Sequence, residues 1–260
     1  MSEATIWRSR VLGSLGYTAI FFSREGGVSD GPLSWLNLGT SVDDDPAAIA
    51  ENERRVLEAM GVGGLFLPKQ VHGDRVALVH KPVTGVVRSL EADAAVAKTA
   101  AIDGTALGVL TADCAPILLG STDGEVIGVI HAGWRGLLAG VVAGTIRRLT
   151  RAFSLAPGEL AAAIGPTIGV AEYEVGADLA ERFLRERADL STVNWPDRRR
   201  KPRLNLRMIA LKDLLAAGLS PELVEVVGPT TADTRLFSHR RNGGRTGRQL
   251  SAIARPKKAK

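Results

Sequence analysis

The sequence predicts an α/β (α+β) fold in which mixed β-sheets are covered by helices. Short apolar runs rich in β-branched residues recur along the chain, bounded by glycine, proline and aspartate. Segments with helical apolar spacing lie between some of these runs, but the strands outnumber the strict alternation of a simple βαβ protein. The chain has 260 residues, enough for a sizeable core, and shows no linker, low-complexity tract or internal repeat. We therefore expect one domain over residues 1–260.

Nine apolar runs have strand length: 17–22, 65–72, 75–80, 92–97, 106–110, 115–119, 126–130, 160–164 and 223–227. Turn residues separate several of them. We expect the second and third runs to pair about Gly73-Asp74, and the fourth and fifth about Asp103-Gly104. The sixth and seventh runs are expected to pair in antiparallel fashion.

Four segments have the apolar spacing of helices: 46–60, 137–153, 176–187 and 205–217. Asp45 is the expected N-cap of the first helix, with Pro46 at its first position. Gly218 is expected to end the last one. We interpret the first helix as structural.

The charge balance is basic, with a formal net charge of +5. Basic residues concentrate at 198–203, beside Pro202, and in a C-terminal tail at 255–260. Aromatic residues make up only 5% of the chain, so the stacking partners of a nucleic-acid interface are scarce. We interpret the basic run as a solvated loop and expect no nucleic-acid partner, whereas anionic small substrates are compatible with the charge.

The chain is expected to be cytoplasmic. Its single cysteine excludes an internal disulfide and fits a reducing compartment. No apolar run approaches the roughly 20 residues of a membrane span, and residues 1–10 lack the apolar core of a signal peptide. We expect no membrane partner and a monomer or weak homodimer.

A metal site is predicted from the placement of the cysteine and two histidines. Cys114 directly precedes the run 115–119 and His131 directly follows the run 126–130, so antiparallel pairing brings them to the same end of a sheet. Thiolate and imidazole suit Zn²⁺, and a catalytic zinc has three protein ligands with the fourth position open. His72, which also follows an apolar run and precedes a glycine, is the candidate third ligand. The alternatives are a cysteine that packs as a small core residue and histidines with structural hydrogen bonds.

Candidate anion-binding groups lie near these ligands. The glycines of HAGWRG at 131–136 let the backbone approach a ligand, and a helix expected to begin after Gly136 offers free N–H groups. Arg135 would add a guanidinium, and Arg24, in the glycine-rich loop 23–29, is a second candidate. Asp113 is the candidate carboxylate for orienting a ligand or moving a proton. The alternatives are a solvated arginine, a surface turn and a turn-capping aspartate.

Long motifs cover nearly the whole chain: FFSREGGVSDGP at 21–32, WLNLG at 35–39, QVHG at 70–73, TADCAPILL at 111–119, HAGWRG at 131–136, IGPTIGVAEYEVG at 164–176 and FSHRRNGGRTGRQ at 237–249. Together they resemble the laccase-domain family, also called YfiH-like or peptidoglycan-editing-factor proteins. His239 is a departure, because the family usually has a tyrosine there.

The resemblance implies a layered α-β-β-α arrangement and a catalytic zinc bound by His72, Cys114 and His131. It implies substrate contacts from four residues: Arg24, Asn37, Gln70 and Arg135. Family members are purine nucleoside phosphorylases that split adenosine, inosine and methylthioadenosine with phosphate, and some deaminate adenosine. We expect the same here, with Zn²⁺ as cofactor and Cu²⁺ able to replace it in vitro.

Three other functions use the same residues. A hydrolase that edits peptidoglycan precursors could use metal-bound water or the Cys114 thiolate. Polyphenol oxidation is disfavoured, because four histidines in the chain cannot build the trinuclear cluster of a multicopper oxidase. A binding module without catalysis is the last alternative. The H-x-E and P-C-x-x-C signature of zinc deaminases is absent, so deamination would need a different arrangement.

Overall fold

Two six-stranded sheets lie face to face in the computed structural model, which describes residues 6–187, 190–197 and 199–256. The strands are β1 (Ile6–Arg8), β2 (Thr18–Phe22), β3 (Gly64–Lys69), β4 (Val76–Val79), β5 (Gly85–Glu91), β6 (Ala94–Lys98), β7 (Thr105–Thr111), β8 (Ala115–Ser121), β9 (Val126–Ala132), β10 (Leu160–Ile164), β11 (Val193–Asn194), β12 (Arg203–Leu204), β13 (Val224–Val226) and β14 (Gln249–Ala254). The first sheet has the order β1-β2-β14-β7-β3-β5 and the second the order β13-β10-β8-β9-β6-β4, while β11 and β12 form a separate pair.

Helices cover the outer face of each sheet. The helices are α1 (Arg10–Ser14), α2 (Pro46–Met60), α3 (Trp134–Ala139), α4 (Val141–Phe153), α5 (Ala177–Arg187) and α6 (Leu206–Ala216). α2 covers the first sheet and α3 to α6 cover the second, whereas Leu12 of α1 belongs to the cluster between the sheets. Val56 of α2 belongs to the apolar cluster outside the first sheet, and Ile146 of α4 and Ile209 of α6 belong to the cluster outside the second. A third cluster fills the space between the sheets. The predicted α-β-β-α layering of an α/β protein is therefore confirmed.

The central strands read as continuous apolar runs because both of their faces are buried. In β2, Ala19 and Phe21 face the cluster between the sheets, whereas Ile20 and Phe22 face the cluster under α2. This alternation follows from the two-residue period of a strand.

The chain crosses from the first sheet to the second three times in succession, from β3 to β4, from β5 to β6 and from β7 to β8. In the first sheet, β3 is parallel to both β5 and β7. In the second, β4 is parallel to β6, and β6 and β8 are both antiparallel to β9. Since parallel strands end at the same edge of a sheet, the three crossings lie together.

The two predicted pairs about Gly73-Asp74 and Asp103-Gly104 are wrong, because each predicted turn lies between strands of different sheets. β3 pairs with β5 and β7, and β4 pairs with β6. Likewise β6 belongs to the second sheet and β7 to the first. The apolar runs are strands as predicted, but an apolar run with two buried faces carries no local sign of which sheet it joins.

The predicted hairpin of the sixth and seventh runs is confirmed. β8 and β9 pair in antiparallel register, with Pro116 opposite His131. His131 lies inside β9 rather than after it, since the strand extends to Ala132.

The predicted helix over 137–153 is interrupted. α3 begins at Trp134, with Gly133 as N-cap, and Gly140 separates it from α4 with a φ of 82°. This left-handed conformation is accessible to glycine and ends α3 after six residues. The helix start therefore precedes the expected position after Gly136, and α3 is too short to support an anion site of its own.

Six elements were not predicted from the sequence: β1, α1, β5, β11, β12 and β14. β14 is fully buried between β2 and β7. α1 is only five residues long and is capped by the Ser9 hydroxyl, which accepts a hydrogen bond from Leu12 N. β5 is a half-exposed edge strand whose apolar alternation is weak.

In the described part of the chain, no helix combines the length and apolar character needed to cross a bilayer. Residues 257–260 of the basic tail lie outside the described residues. Arg255 is described, and its side chain donates to the Leu15 carbonyl and stacks on Tyr17.

Candidate metal centre and its cavity

The three predicted metal ligands lie together where the chain crosses between the sheets. His72 lies on the crossing from β3 to β4, Cys114 on the crossing from β7 to β8, and His131 on β9 beside them. Their ligand atoms all lie within 4.8 Å of one another. The prediction that these side chains form one cluster is confirmed.

A carboxylate that the sequence analysis did not single out holds this cluster. Asp93, on the crossing from β5 to β6, is fully buried. Its Oδ1 lies 2.8 Å from His131 Nδ1 and accepts a hydrogen bond from His72 N at 2.9 Å. Its Oδ2 accepts from Gly73 N at 2.6 Å and from Val71 N at 3.2 Å. One carboxylate thereby positions two of the three ligands.

These contacts explain two local features. His72 has a φ of 61°, which is uncommon for a residue with a side chain, and the three consecutive amides bonded to Asp93 hold it there. With Nδ1 of His131 facing Asp93, its Nε2 is the nitrogen directed at the cluster. The hydrogen bonds with His131 and the loop amides hold the pKa of Asp93 below its usual range, although burial opposes them.

Cys114 and His131 stabilise each other's charged forms. Burial disfavours both charges, but the attraction to His131, with hydrogen bonds from His131 and His72, lowers the pKa of Cys114 to about 6. The same attraction, together with Asp93, raises the pKa of His131 to about 9. The lowered pKa favours the thiolate of Cys114, the form that binds metals.

The residues present fit a tetrahedral metal ion. One thiolate and two imidazoles supply three donors, leaving one position open. Gly133 keeps the space beside them clear: a Cβ at this position would lie 3.0 Å from Cys114 Sγ and 3.3 Å from His72 Cδ2.

The cluster opens into a cavity of about 690 Å³ with a strongly cationic lining. Beside the metal ligands, the lining includes five basic side chains: Lys69, Arg88, Arg135, Arg240 and Arg248. Asp113 is the single carboxylate among the lining residues, and His239 lies at the same wall. Such a cavity favours an anionic ligand or a ligand with an anionic co-substrate.

The structure brings two of the four predicted substrate-binding residues to this cavity. Gln70 lines it, but its carboxamide exchanges hydrogen bonds with the main chain of Leu110, through Nε2 at 2.7 Å and Oε1 at 2.8 Å. Arg135 also lines the cavity and lies 4.4 Å from the centre of the Trp134 ring.

The other two, Arg24 and Asn37, lie elsewhere. The Arg24 guanidinium packs against the rings of Trp35 and Phe237, and its Nε donates to a main-chain carbonyl. Burial, with a smaller contribution from a nearby arginine, lowers the pKa of Arg24. Asn37 is fully buried and holds the main chain of Gly39 and Arg248. Asn37 thus supports the wall of the cavity from behind.

Asp113 lies beside Cys114 with both carboxylate oxygens engaged. Oδ1 accepts from the Thr231 hydroxyl at 2.5 Å and Oδ2 from Arg240 N at 2.7 Å. It does not contact the histidines, so the orienting contact expected of it is made by Asp93.

Two cavity residues had no role in the sequence analysis although their motifs were noted. Arg248 donates from Nη1 to the Thr246 and Gly247 carbonyls, and burial lowers its pKa while Cys114 and Asp113 oppose that shift. Tyr173, from the EYEVG motif, also lines the cavity. Its pKa is raised by burial and by the nearby Cys114 thiolate.

Comparison with known proteins gives consistent matches. The family described as "Multi-copper polyphenol oxidoreductase laccase" matches residues 18–256. A protein of Pseudomonas aeruginosa named purine nucleoside phosphorylase is 34% identical over 241 residues, covering 89% of this chain and 90% of that protein. One of Deinococcus radiodurans with the same name is 35% identical over 240 residues, covering 92% and 89%.

Solved structures share the fold. YlmD from Geobacillus stearothermophilus has a TM-score of 0.85 at 28% identity, covering 99% of this chain and 98% of that one. The hypothetical protein YfiH from Bacillus licheniformis has a TM-score of 0.83 at 25% identity, covering 92% and 93%.

Proposed function

The chain belongs to the multi-copper polyphenol oxidoreductase laccase family, and we propose from this membership and the site that it is a zinc-dependent purine nucleoside phosphorylase. Its substrates would be adenosine, inosine and methylthioadenosine, split with phosphate. The observation that carries the proposal is the metal-binding cluster that opens into a cavity lined by five basic side chains and one carboxylate. The names of the P. aeruginosa and D. radiodurans relatives support the reaction class.

Zinc would be held by His72, Cys114 and His131, and it would supply a Lewis acid with one open coordination position. The thiolate and two imidazoles favour zinc over harder metals. A multicopper cluster is not supported, because the chain has four histidines and, among the described residues, one metal-binding group with two of them.

In this proposal the cavity cations hold the phosphate. Arg248 is suited to it because its side-chain hydrogen bonds to the described part of the protein use Nη1 alone, while Arg248 lines the cavity. A planar guanidinium binds phosphate oxygens with two donors. A phosphate oxygen forms the bond to ribose C1′, the C1′–N9 bond breaks, and the base leaves with the electron pair and takes up a proton.

The role of Asp113 in this scheme is to position the cavity rather than to carry the proton. Both of its oxygens accept hydrogen bonds from loop residues, one of them Arg240 N. Asp113 therefore fixes the loop that brings Arg240 to the cavity.

The test uses metal-loaded protein and adenosine, with and without phosphate, followed by separation of the products. Adenine and ribose 1-phosphate that form only with phosphate are the expected products. Inosine in either buffer would reveal adenosine deamination as a second activity. Turnover of a serine-bearing muramyl nucleotide without nucleoside turnover would replace the proposal by the peptidoglycan-editing hydrolase, and oxidation of a phenol by the copper-loaded protein would favour the oxidase.

A variant of Arg248 tests whether this side chain binds phosphate, separately from any effect on the fold. Arg248→Met is expected to raise the KM for phosphate by about 10-fold or more, because a charge-assisted hydrogen bond contributes roughly 1.5–3 kcal/mol. Arg148→Met is the matched control, since Arg148 is exposed on α4 and does not line the cavity. An unchanged phosphate KM in Arg248→Met would contradict the assignment.

We further propose that the protein acts in the cytoplasm as a monomer or weak homodimer.

A further inference from the structure

A second depression lies beside the catalytic cavity and shares part of its lining. It encloses about 830 Å³, and Trp134, Tyr173 and Arg240 line both spaces. We call this depression the basic groove, after the residues that complete its wall: Trp195, Arg199, Arg200 and Lys201. Because three side chains line both spaces, the cavity and the groove are adjacent.

The cations of the basic groove lie on a loop that is tied to the body of the protein. The loop joins β11 to β12, and Trp195 Nε1 donates to the Arg200 carbonyl at 2.9 Å. At its far end, Val175 N donates to the Pro202 carbonyl at 2.9 Å. The interpretation of this basic run as a solvated loop agrees with the exposure of Arg199, Arg200 and Lys201, and the structure adds that the loop is anchored on the segment that carries Tyr173.

Among the residues that line the groove, cations outnumber carboxylates, although Asp197 on the same loop accepts a hydrogen bond from Arg199 N at 2.9 Å. Arg199, Arg200 and Lys201 are exposed. Glu174 is the one carboxylate among the lining residues, and its Oε1 is paired with Arg203 at 3.0 Å. A cluster of cations at the mouth of a cavity attracts groups with more than one negative charge.

The aromatic side chains narrow the class of ligand. Trp134 and Tyr173 stand at the boundary, and each already lies under an arginine, Arg135 at 4.4 Å and Arg240 at 5.0 Å. Aromatic faces beside arginines suit a flat base joined to phosphates. A free phosphate would use the cations alone.

We propose that the cavity and the basic groove form one two-lobed site that binds purine nucleosides carrying a 5′-diphosphate, with the nucleoside in the cavity and the phosphates in the groove. The inference rests on the proposed function for the nucleoside lobe only. The groove contributes affinity for the phosphates, so nucleotides bind as well as nucleosides.

The experiment titrates metal-loaded protein with ADP, adenosine and inorganic pyrophosphate by isothermal titration calorimetry at low ionic strength. ADP is expected to bind about tenfold tighter than adenosine. Arg199→Ser with Arg200→Ser should weaken ADP and pyrophosphate binding about tenfold and leave adenosine binding unchanged. Contacts of the phosphates with the metal or with the cavity cations are the same in both proteins, so the difference isolates the groove.

The control removes two charges elsewhere. Arg147 and Arg148 are exposed on α4 and line neither space, so Arg147→Ser with Arg148→Ser should retain ADP affinity. Equal ADP affinity in the groove variant and this control, or ADP binding no tighter than adenosine, would overturn the inference. The proposed function is judged separately by adenosine turnover: groove-dependent pyrophosphate binding without that turnover would uphold the groove and reject the phosphorylase.

Discussion

Replacing Asp93 by Asn is the sharpest test of how the metal centre is built. The change keeps size and shape but replaces one acceptor oxygen by an NH₂ donor. With the amide oxygen at the Oδ1 position, NH₂ would face Gly73 N and Val71 N, which are donors. In the flipped orientation NH₂ would face His72 N and His131 Nδ1. His131 would then have to carry its proton on Nε2, the nitrogen directed at the metal.

The first orientation leaves two part-buried donors, Gly73 N and Val71 N, without an acceptor, and the flipped orientation leaves His72 N without one. At about 1–3 kcal/mol for each donor left without an acceptor, the metal-free variant should be less stable by about 1–3 kcal/mol in the less costly, flipped orientation. Loss of a carboxylate behind a ligating histidine typically weakens metal binding about 10–100-fold. We therefore expect zinc affinity to fall by that factor, with His72 and His131 less well positioned.

The assay is competition for zinc against a chromophoric chelator, at a temperature where circular dichroism shows the variant to be folded. Denaturant unfolding in excess chelator gives the stability of the metal-free protein separately. Asp213→Asn is the control, because Asp213 lies on α6, accepts from Arg187 and is not one of the cluster residues. A folded Asp93→Asn protein that binds zinc within twofold of the unsubstituted chain would refute the reasoning.

Gly133→Ala should weaken zinc binding at least tenfold in the same competition assay, because the new Cβ would lie 3.0 Å from Cys114 Sγ. Gly158→Ala is the control: a Cβ at this position meets nothing within 4 Å, so the zinc affinity should be unchanged. Glu225→Gln should lower the free energy of unfolding by about 1 kcal/mol at pH 7, since the carboxylate accepts from the first amides of α1. Burial opposes the ionised form, but these hydrogen bonds hold the pKa of Glu225 below its ordinary 4.5. Its contribution is therefore present above pH 4.5 and is lost as the pH falls through the lowered pKa. The stabilities of the two proteins should converge as the pH falls below 4.5, and a constant difference would contradict the assignment.

Local sequence patterns predicted most elements of the fold. Asp45 caps α2 through Ala47 N, and β8 and β9 form the expected hairpin. The assignment of strands to sheets could not be predicted in this way, because it depends on pairing between distant segments. Both faces of β3 are buried, for example, so its composition is the same whether it pairs with β4 or with β5.

The site residues of rare types, the cysteine and the histidines, could be predicted from the sequence, whereas the aspartate, a common residue type, was missed. Cys114, the only cysteine, and the two histidines that follow apolar runs lead to the cluster directly. Asp93 is one of 28 acidic residues, and its role depends on amides and an imidazole that the fold brings to it. One signal was present: Asp93 directly precedes a wholly apolar strand start, where an unpaired carboxylate would be costly.

The three crossings lie at one end of the two sheets, so this end differs from the opposite end, where the chain returns to the first sheet. His72, Asp93 and Cys114 follow one another at intervals of 21 residues, one on each crossing. The opposite end, where the chain returns to the first sheet, carries exposed turns such as Lys81-Pro82. The molecule can therefore accept added length at that end, for example a fused peptide or a whole inserted domain, while at the crossings a single extra residue would displace a ligand. We expect laboratory fusions and natural insertions alike to be tolerated at the turns where the chain returns to the first sheet.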